Sequence, residues 1–271
     1  MRKITDKLSL KEKRNVYSRK PSNIDKYHQS IKGQCIHKKR SLEDIYKQPS
    51  RSCLHNYYDE AFFINLPERT DRLQEIQSEL NRVHISANKF QAIKPSSPAF
   101  GLRIGQLGCI LSHLEVIKNA SKRNLNSVLI MEDDVIFIEK FNEVIPNFIK
   151  QLLEIPKWDL LYIGFRQNGP YEYKTRNIVK LQGALCTHAY IIRKSIFNLV
   201  IEEFKRDPTT IDVIYNRICP VINAIAFKPI LAWQRANFSD IEGGYYNHWF
   251  LVDQTDIPHF SPRQRLENHD R

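Results

Sequence analysis

Three adjacent carboxylates, Glu132, Asp133 and Asp134, sit between two apolar blocks in the run from Val128 to Ile138, VLIMEDDVIFI. An unpaired carboxylate is expensive to bury, so these acids cannot lie inside a sheet. They are expected where a strand beginning at Val128 ends, at the carboxyl edge where α/β sheets place their ligands. In extended chain Glu132 and Asp134 point to one side and Asp133 to the other. Two carboxylates side by side can grip a hard divalent cation through oxygen. Such a cation can bridge to a diphosphate and neutralise a departing nucleotide. The plain alternative is an acidic turn that caps the next helix; the position at a strand end favours chemistry.

The elements that must position these acids are legible around them. Ala61 to Leu66 is a short apolar run with polar borders, a buried-strand pattern. Pro67 suits the first turn of a helix, and Leu73, Ile76, Leu80 and Val83 follow at helical spacing. A second strand is expected over 89–93 and a loop over 94–101, which is rich in Pro, Ser and Gly. The loop at 94–103 and the stretch 165–177 are expected to shape what the site accepts. A helix is expected over 106–123, with Leu107, Ile110, Leu114 and Ile117 as its stripe. Further strands are read at 128–131, 158–164, 184–192 and 224–227, and helices at 141–153 and 194–204. Strands alternating with helices predict an α/β fold, a mainly parallel sheet flanked by helices on both faces.

Charge divides the chain. Residues 1–56 hold 15 Lys and Arg against 5 Asp and Glu, so this segment carries +10 of the +11 on all 271 residues. The remainder is close to neutral, which argues against a nucleic-acid-binding main domain. Three parts are expected: a basic, flexible N-terminal extension over 1–56, a catalytic domain over 57–250, and a polar C-terminal tail over 251–271. The extension offers weak contact with an anionic surface. No apolar run approaches the roughly 20 residues of a membrane span, and no apolar block follows the first charges. A cytoplasmic location is the expectation, with placement at a membrane periphery as its variant. The five cysteines are odd in number and lack a CxxC pair, so zinc-ribbon and redox-motif readings gain little. Cys109, Cys186 and Cys219 lie among apolar residues and read as buried thiols. No GxxxxGK[ST] loop supports a phosphotransferase.

Several ordered segments carry a resemblance. They are Phe63-Ile64-Asn65-Leu66 with Arg69 and Arg72; Gly105 to Cys109 with Leu111-Ser112-His113; Met131-Glu132-Asp133-Asp134; Trp158 to Gly164; Thr187 to Ile192; Thr210-Ile211-Asp212; and Gln234 with Ser239-Asp240-Ile241. Taken in order, from about Ala61 to Ile241, they resemble glycosyltransferase family 25, which includes lipooligosaccharide galactosyltransferases of lipopolysaccharide biosynthesis and the galactosyltransferases of collagen glycosylation. Two positions depart from the pattern: Gln106 replaces an acid, and Cys186 stands where glycine is common. The resemblance implies a single GT-A-like (Rossmann-like) domain, a UDP-sugar donor of galactose or glucose, a divalent cation such as Mn2+, a glycan or hydroxylated protein acceptor, and inversion at the sugar carbon.

Roles follow on the matched positions. Glu132 and Asp134 are the metal pair, leaving Asp133 for the donor sugar or nucleotide. Arg69 and Arg72 can pair with a diphosphate or form surface ion pairs with Glu68 and Asp71. Asn65, next to Leu66 at the end of the opening strand, can contact the nucleotide or cap the helix. Ser112 and His113 form a wall of the donor pocket, or a packed and hydrogen-bonded core. Inverting transfer needs a base for the acceptor hydroxyl; Asp212 is the first choice, with helix capping as its alternative. Asp240 is the second choice, or a third metal ligand. His188 and His248 are weaker candidates, Trp158 reads as core, and Trp233 as core or a sugar-stacking surface. Two other classes stay open: a degenerate relative that binds without transferring, and a nucleic-acid-associated protein acting through residues 1–56.

Overall fold

Alternating faces explain the centre of the molecule. Val128 and Ile130 pack into one apolar cluster while Leu129 and Met131 pack into another. A strand whose neighbouring side chains feed two different cores must be covered on both sides, and each of these four residues is fully buried. The computed structural model describes residues 52–235, together with the backbone of 237–239 and 244–246. The expectations for residues 1–51, for Asp240 and His248 and for the tail at 251–271 fall outside the described residues.

In chain order the elements are β1 (Glu60–Asn65), α1 (Thr70–Arg82), β2 (Asn88–Gln91), α2 (Ile104–Lys122), β3 (Ser127–Glu132), β4 (Val135–Phe137), α3 (Phe141–Leu152), β5 (Leu160–Gln167), β6 (Tyr171–Tyr173), β7 (Ile178–Leu181), β8 (Ala184–Arg193), α4 (Phe197–Arg206), α5 (Ile211–Ile218), β9 (Ala224–Phe227), β10 (Ala232–Gln234), β11 (Asn237–Ser239) and β12 (Gly244–Tyr246). Eight strands form one sheet in the order β2-β1-β3-β8-β5-β9-β7-β6. β1 is parallel to β2 and β3, and β5 to β9, whereas β8 is antiparallel to both β3 and β5, and β7 to both β9 and β6. Six of the eight strands therefore run the same way, and β7 and β8 are reversed. The expected α/β architecture with a mainly parallel, helix-flanked sheet is what the chain forms.

One face is covered by α2, α4 and α5 through Leu107, Ile110, Leu114, Phe197, Val200 and Ile214. The other is covered by α1 and α3 through Ile76, Leu80, Ile145, Phe148 and Ile149. These stripes recur at three- and four-residue spacing, the condition for a helix to bury one side.

The differences from expectation are local. Pro67 lies in a turn ahead of α1, where Arg69 N donates to Leu66 O (3.0 Å), and the helix starts at Thr70. Packing begins before residue 57: Ser52 N donates to His84 O (3.0 Å), and Cys53 and Leu54 are buried. Apolar side chains so close to the boundary outweigh the basic composition upstream. Trp158 precedes β5 with the Arg193 guanidinium 3.7 Å from its ring centroid. Part of the stretch 165–177, expected to shape what the site accepts, belongs to the end of β5 and to β6. Among the described residues no helix is long and apolar enough to cross a membrane.

Candidate active site

Because β8 runs against its neighbours, its beginning meets the carboxyl ends of β3 and β5. Glu132 ends β3 opposite Ile64 of β1. Asp133 and Asp134 form the turn into β4, which pairs antiparallel with β10 so that Val135 faces Gln234. The acids thus sit at the expected edge, but as strand end and turn rather than as extended chain. Side-chain alternation does not govern them there.

The β8 side of the mouth is bulged. Gly164 pairs with Ala189 and Arg166 with Leu185, so Cys186, Thr187 and His188 lie in the irregular stretch. A bulge re-aims side chains. Thr187 Oγ1 donates to Glu132 Oε1 (3.0 Å), and His188 Nε2 lies 3.1 Å from Ala232 O. Gly164 makes room for that ring: a Cβ there would lie 2.1 Å from His188 Nε2 and 2.4 Å from Ala232 O. Cys186 has a left-handed backbone, φ 63°, which explains why glycine suits this position.

Each acid has its own partners. Asp133 accepts from Asn65 Nδ2 (2.8 Å) and Arg72 Nη1 (2.9 Å), both buried. Arg72 Nη1 also lies 3.7 Å from Asp134 Oδ2. Glu132 accepts at Oε2 from Gln234 Nε2 (3.3 Å) and faces His113 Nε2 at 3.7 Å. Asp134 is joined to the chain beyond β10 by Arg235 N, which donates to its carbonyl (2.8 Å). Burial would raise Glu132, but His113, His188 and Thr187 outweigh it and hold the carboxyl below its ordinary value. Burial raises Asp133 despite Arg72 and Asn65. Asp134 is pushed up to about 8, first by burial and then by the Glu132 charge.

The remaining sequence candidates divide. Asn65 does not cap α1; it donates to Asp133 and to Arg69 O (3.1 Å). Leu66, half-buried, follows β1 in the turn. Arg69 forms a two-point ion pair with Asp71 (3.0 and 2.8 Å). Ser112 is fully buried, donates to Gly108 O (2.6 Å) and accepts from Ile93 N (2.8 Å), so it docks α2 against the chain after β2. His113 is buried, with Nδ1 2.8 Å from the Tyr190 hydroxyl. Asp212 Oδ1 accepts from Thr210 Oγ1 (2.7 Å) and Val213 N (2.9 Å), while Oδ2 faces Cys186 N at 3.5 Å. It therefore braces the first turn of α5. Its charge still acts on Cys109 and Cys186 together with those of Glu132 and Asp134, so it belongs to the same region. Trp158 and Trp233 are both buried. Gln106, the other departure from the pattern, accepts from Arg103 N (3.1 Å) at the start of α2, a bond that Gln makes as well as Glu.

Residues 58–205 match the profile of glycosyltransferase family 25 (LPS biosynthesis protein). The chain belongs to glycosyltransferase family 25. Procollagen galactosyltransferase 1-B of Xenopus laevis is 26% identical over 190 residues, 60% of this chain and 30% of that protein. Inactive glycosyltransferase 25 family member 3 of Mus musculus is 29% identical over 137 residues, 42% of this chain and 23% of that protein. The chain thus spans less than a third of the length of these relatives. Among solved structures, a glycosyltransferase involved in the glycosylation of the major capsid of PBCV-1 aligns at 12% identity and TM-score 0.34, over 54% of this chain and 65% of that one.

The donor chemistry of this family 25 mouth fits a hard divalent cation. Glu132 and Asp134 offer oxygen only. Asp134 Oδ1 is buried and has no hydrogen-bond partner among the described residues. A cation at that oxygen would remove the electrostatic cost that holds the carboxyl protonated. In the sequence, Thr187 and Gln234 belong to the family pattern without a role of their own. Nothing in their types signals that they orient Glu132, since the contacts join residues 55 and 102 apart in the chain.

Proposed function

We propose that this family 25 chain is a metal-dependent, inverting hexosyltransferase. It moves galactose or glucose from a UDP-sugar to a hydroxyl of a glycan or a hydroxylated protein, with residues 57–250 as the catalytic domain. The observation that carries this reading is the acid turn at the end of β3, where the charge of Glu132 acts on buried Asp134 while Asp133 is pinned by Asn65 and Arg72.

Glu132 and Asp134 would hold the cation, with Mn2+ the best match to their oxygens. When bound it supplies positive charge to the diphosphate leaving group. Arg72 offsets the charge of the acids when the site is otherwise empty of cations, and keeps the turn fixed. Asn65 and Thr187 orient Asp133 and Glu132. Arg69, near the carboxyl end of β1, can exchange its pairing with Asp71 for the donor's diphosphate. Asp212 Oδ2 is the first choice to accept the acceptor's hydroxyl proton, and Asp240 the second. The freed oxygen forms its bond to the anomeric carbon as the bond from that carbon to the UDP oxygen breaks on the opposite side. That geometry inverts the sugar.

A screen of UDP-sugars, read by UDP release with manganese and with a chelator, tests the proposal. Turnover that the chelator stops and Asp134→Asn abolishes in a folded protein is the expected result. The second reading, a binding protein without transfer, has support in the relatives named as inactive. It gains the field if a folded sample releases no UDP from any donor yet binds UDP or a glycan.

A further inference from the structure

A second donor set lies beside the oxygen pair. Cys109, His113 and Glu132 each offer one atom, and these three atoms all lie within 4.8 Å of one another. Cys109 and His113 are one helical turn apart on α2 and so share a face. Glu132 meets that face from the end of β3. The His113 side chain is almost fully buried, its Nδ1 is occupied by the Tyr190 hydroxyl at 2.8 Å, and its Nε2 is buried, faces Glu132 Oε1 at 3.7 Å and has no hydrogen-bond partner among the described residues. A buried ring nitrogen left open in this way, with its other nitrogen fixed, matches a histidine oriented for metal.

We propose that Cys109, His113 and Glu132 form a binding site for a borderline-soft divalent cation of the zinc class. Zinc takes sulfur at about 2.3 Å, imidazole nitrogen at about 2.0 Å and carboxylate oxygen at about 2.0–2.2 Å. Donors around one such ion stand roughly 3.3–3.8 Å apart, given those radii and tetrahedral angles. His113 Nε2 and Glu132 Oε1 already stand 3.7 Å apart. Three protein ligands leave a fourth position open. Binding replaces the thiol proton by the metal, so one proton is released for each cation that takes Cys109 as ligand.

The two sets differ in what they select. Thiolate and imidazole favour zinc and cobalt, whereas the Glu132 and Asp134 oxygens suit manganese and magnesium. Glu132 belongs to both sets and cannot serve two separate cations fully, so occupation of one weakens the other. The proposal does not rest on sugar transfer, and its test uses no turnover.

The test is titration of the full chain with Co2+ under reducing conditions. The expected result is a thiolate-to-cobalt charge-transfer band with the strong ligand-field absorption of a tetrahedral ion. An equal amount of Zn2+ bleaches it and an equal amount of Mn2+ does not. Cys109→Ser removes the charge-transfer band and weakens zinc roughly 10–100-fold or more, the range seen even for loss of supporting groups. Cys186→Ser, a neighbouring thiol, keeps the band. X-ray absorption at the zinc edge of the unaltered protein reads the same point without a variant: one sulfur must stand in the first shell. A shell of oxygen and nitrogen alone, or a band that follows Cys186 instead of Cys109, overturns the proposal.

Discussion

The Thr187 hydroxyl donates to Glu132 Oε1 across 3.0 Å, joining the bulge of β8 to the last residue of β3. The bond fixes the direction of a carboxylate that also faces Gln234 and His113. Thr187→Val keeps the shape and deletes the donor. Loss of an orienting partner typically weakens a metal site roughly 10–100-fold. Manganese affinity measured by calorimetry or by paramagnetic resonance should fall within that range while the fold is unchanged. Affinity equal to that of the parent protein means that Thr187 does not orient a metal ligand.

Arg72 stands between two buried carboxylates, 2.9 Å from Asp133 and 3.7 Å from Asp134. Removing one partner of a buried pair leaves charge without compensation, at about 3–5 kcal/mol. Arg72→Met should lose stability of that order in urea unfolding, and adding Asp133→Asn should recover part of the loss. A single-variant loss below about 1 kcal/mol, the level of a surface pair, contradicts the assignment.

Asp134 gives a pH dependence with a definite sign. Its folded pKa, about 8, lies above that of the unfolded chain, so the folded protein holds a proton that the unfolded chain has lost. Stability from this group therefore falls as pH rises from the ordinary carboxylate range towards 8 and levels off above it. Asp134→Asn should flatten that slope and make the metal-free domain more stable at the alkaline end. Manganese binding should release protons below pH 8 and tighten as pH rises to it. Thermal unfolding from pH 5 to 9 with chelator present checks the first part, and calorimetry in two buffers of different ionisation heat the second. An Asn variant that is less stable than the parent at the alkaline end goes against the shift.

Gly164 has no room for a methyl group, with His188 Nε2 at 2.1 Å and Ala232 O at 2.4 Å from a Cβ. Gly164→Ala should displace His188 and loosen β10, at roughly 1–3 kcal/mol of overpacking. Thermal unfolding reads the cost. An alanine variant as stable as the parent requires that the His188 ring sit elsewhere.

The long apolar runs made the sheet legible. Ala61 to Leu66, Val128 to Met131, Ala184 to Ile192 and Ala224 to Phe227 all became strands because apolar runs of that length bury most cheaply in a covered sheet. β4, β6 and β10, of three residues each, were not read as strands, because so short a segment carries no period. β7 escaped too: Ile178 to Leu181 is only four residues. The place of the acids was also legible, since charge next to Met131 had to leave the core. Their partners were not. Thr187 reaches Glu132 only through a bulge, and a bulge depends on how β8 pairs with β5, not on local sequence. Ser112 stood open between a pocket wall and a packed, hydrogen-bonded core, and its two backbone bonds, which join it to residues 4 and 19 positions away, are those of the packed position.

The mouth is stitched from Asn65, Arg72, His113, Glu132, Thr187 and Gln234. A nascent chain emerging from the ribosome has the acid turn long before it has Thr187 and Gln234. Thr187 arrives with β8, but until β10 is made Glu132 lacks Gln234 and β4 has no strand to pair with. Assembly of the proposed cation site therefore coincides with completion of the β4–β10 ribbon, and truncated products of synthesis or proteolysis that end before residue 234 carry the acids without Gln234 to hold Glu132.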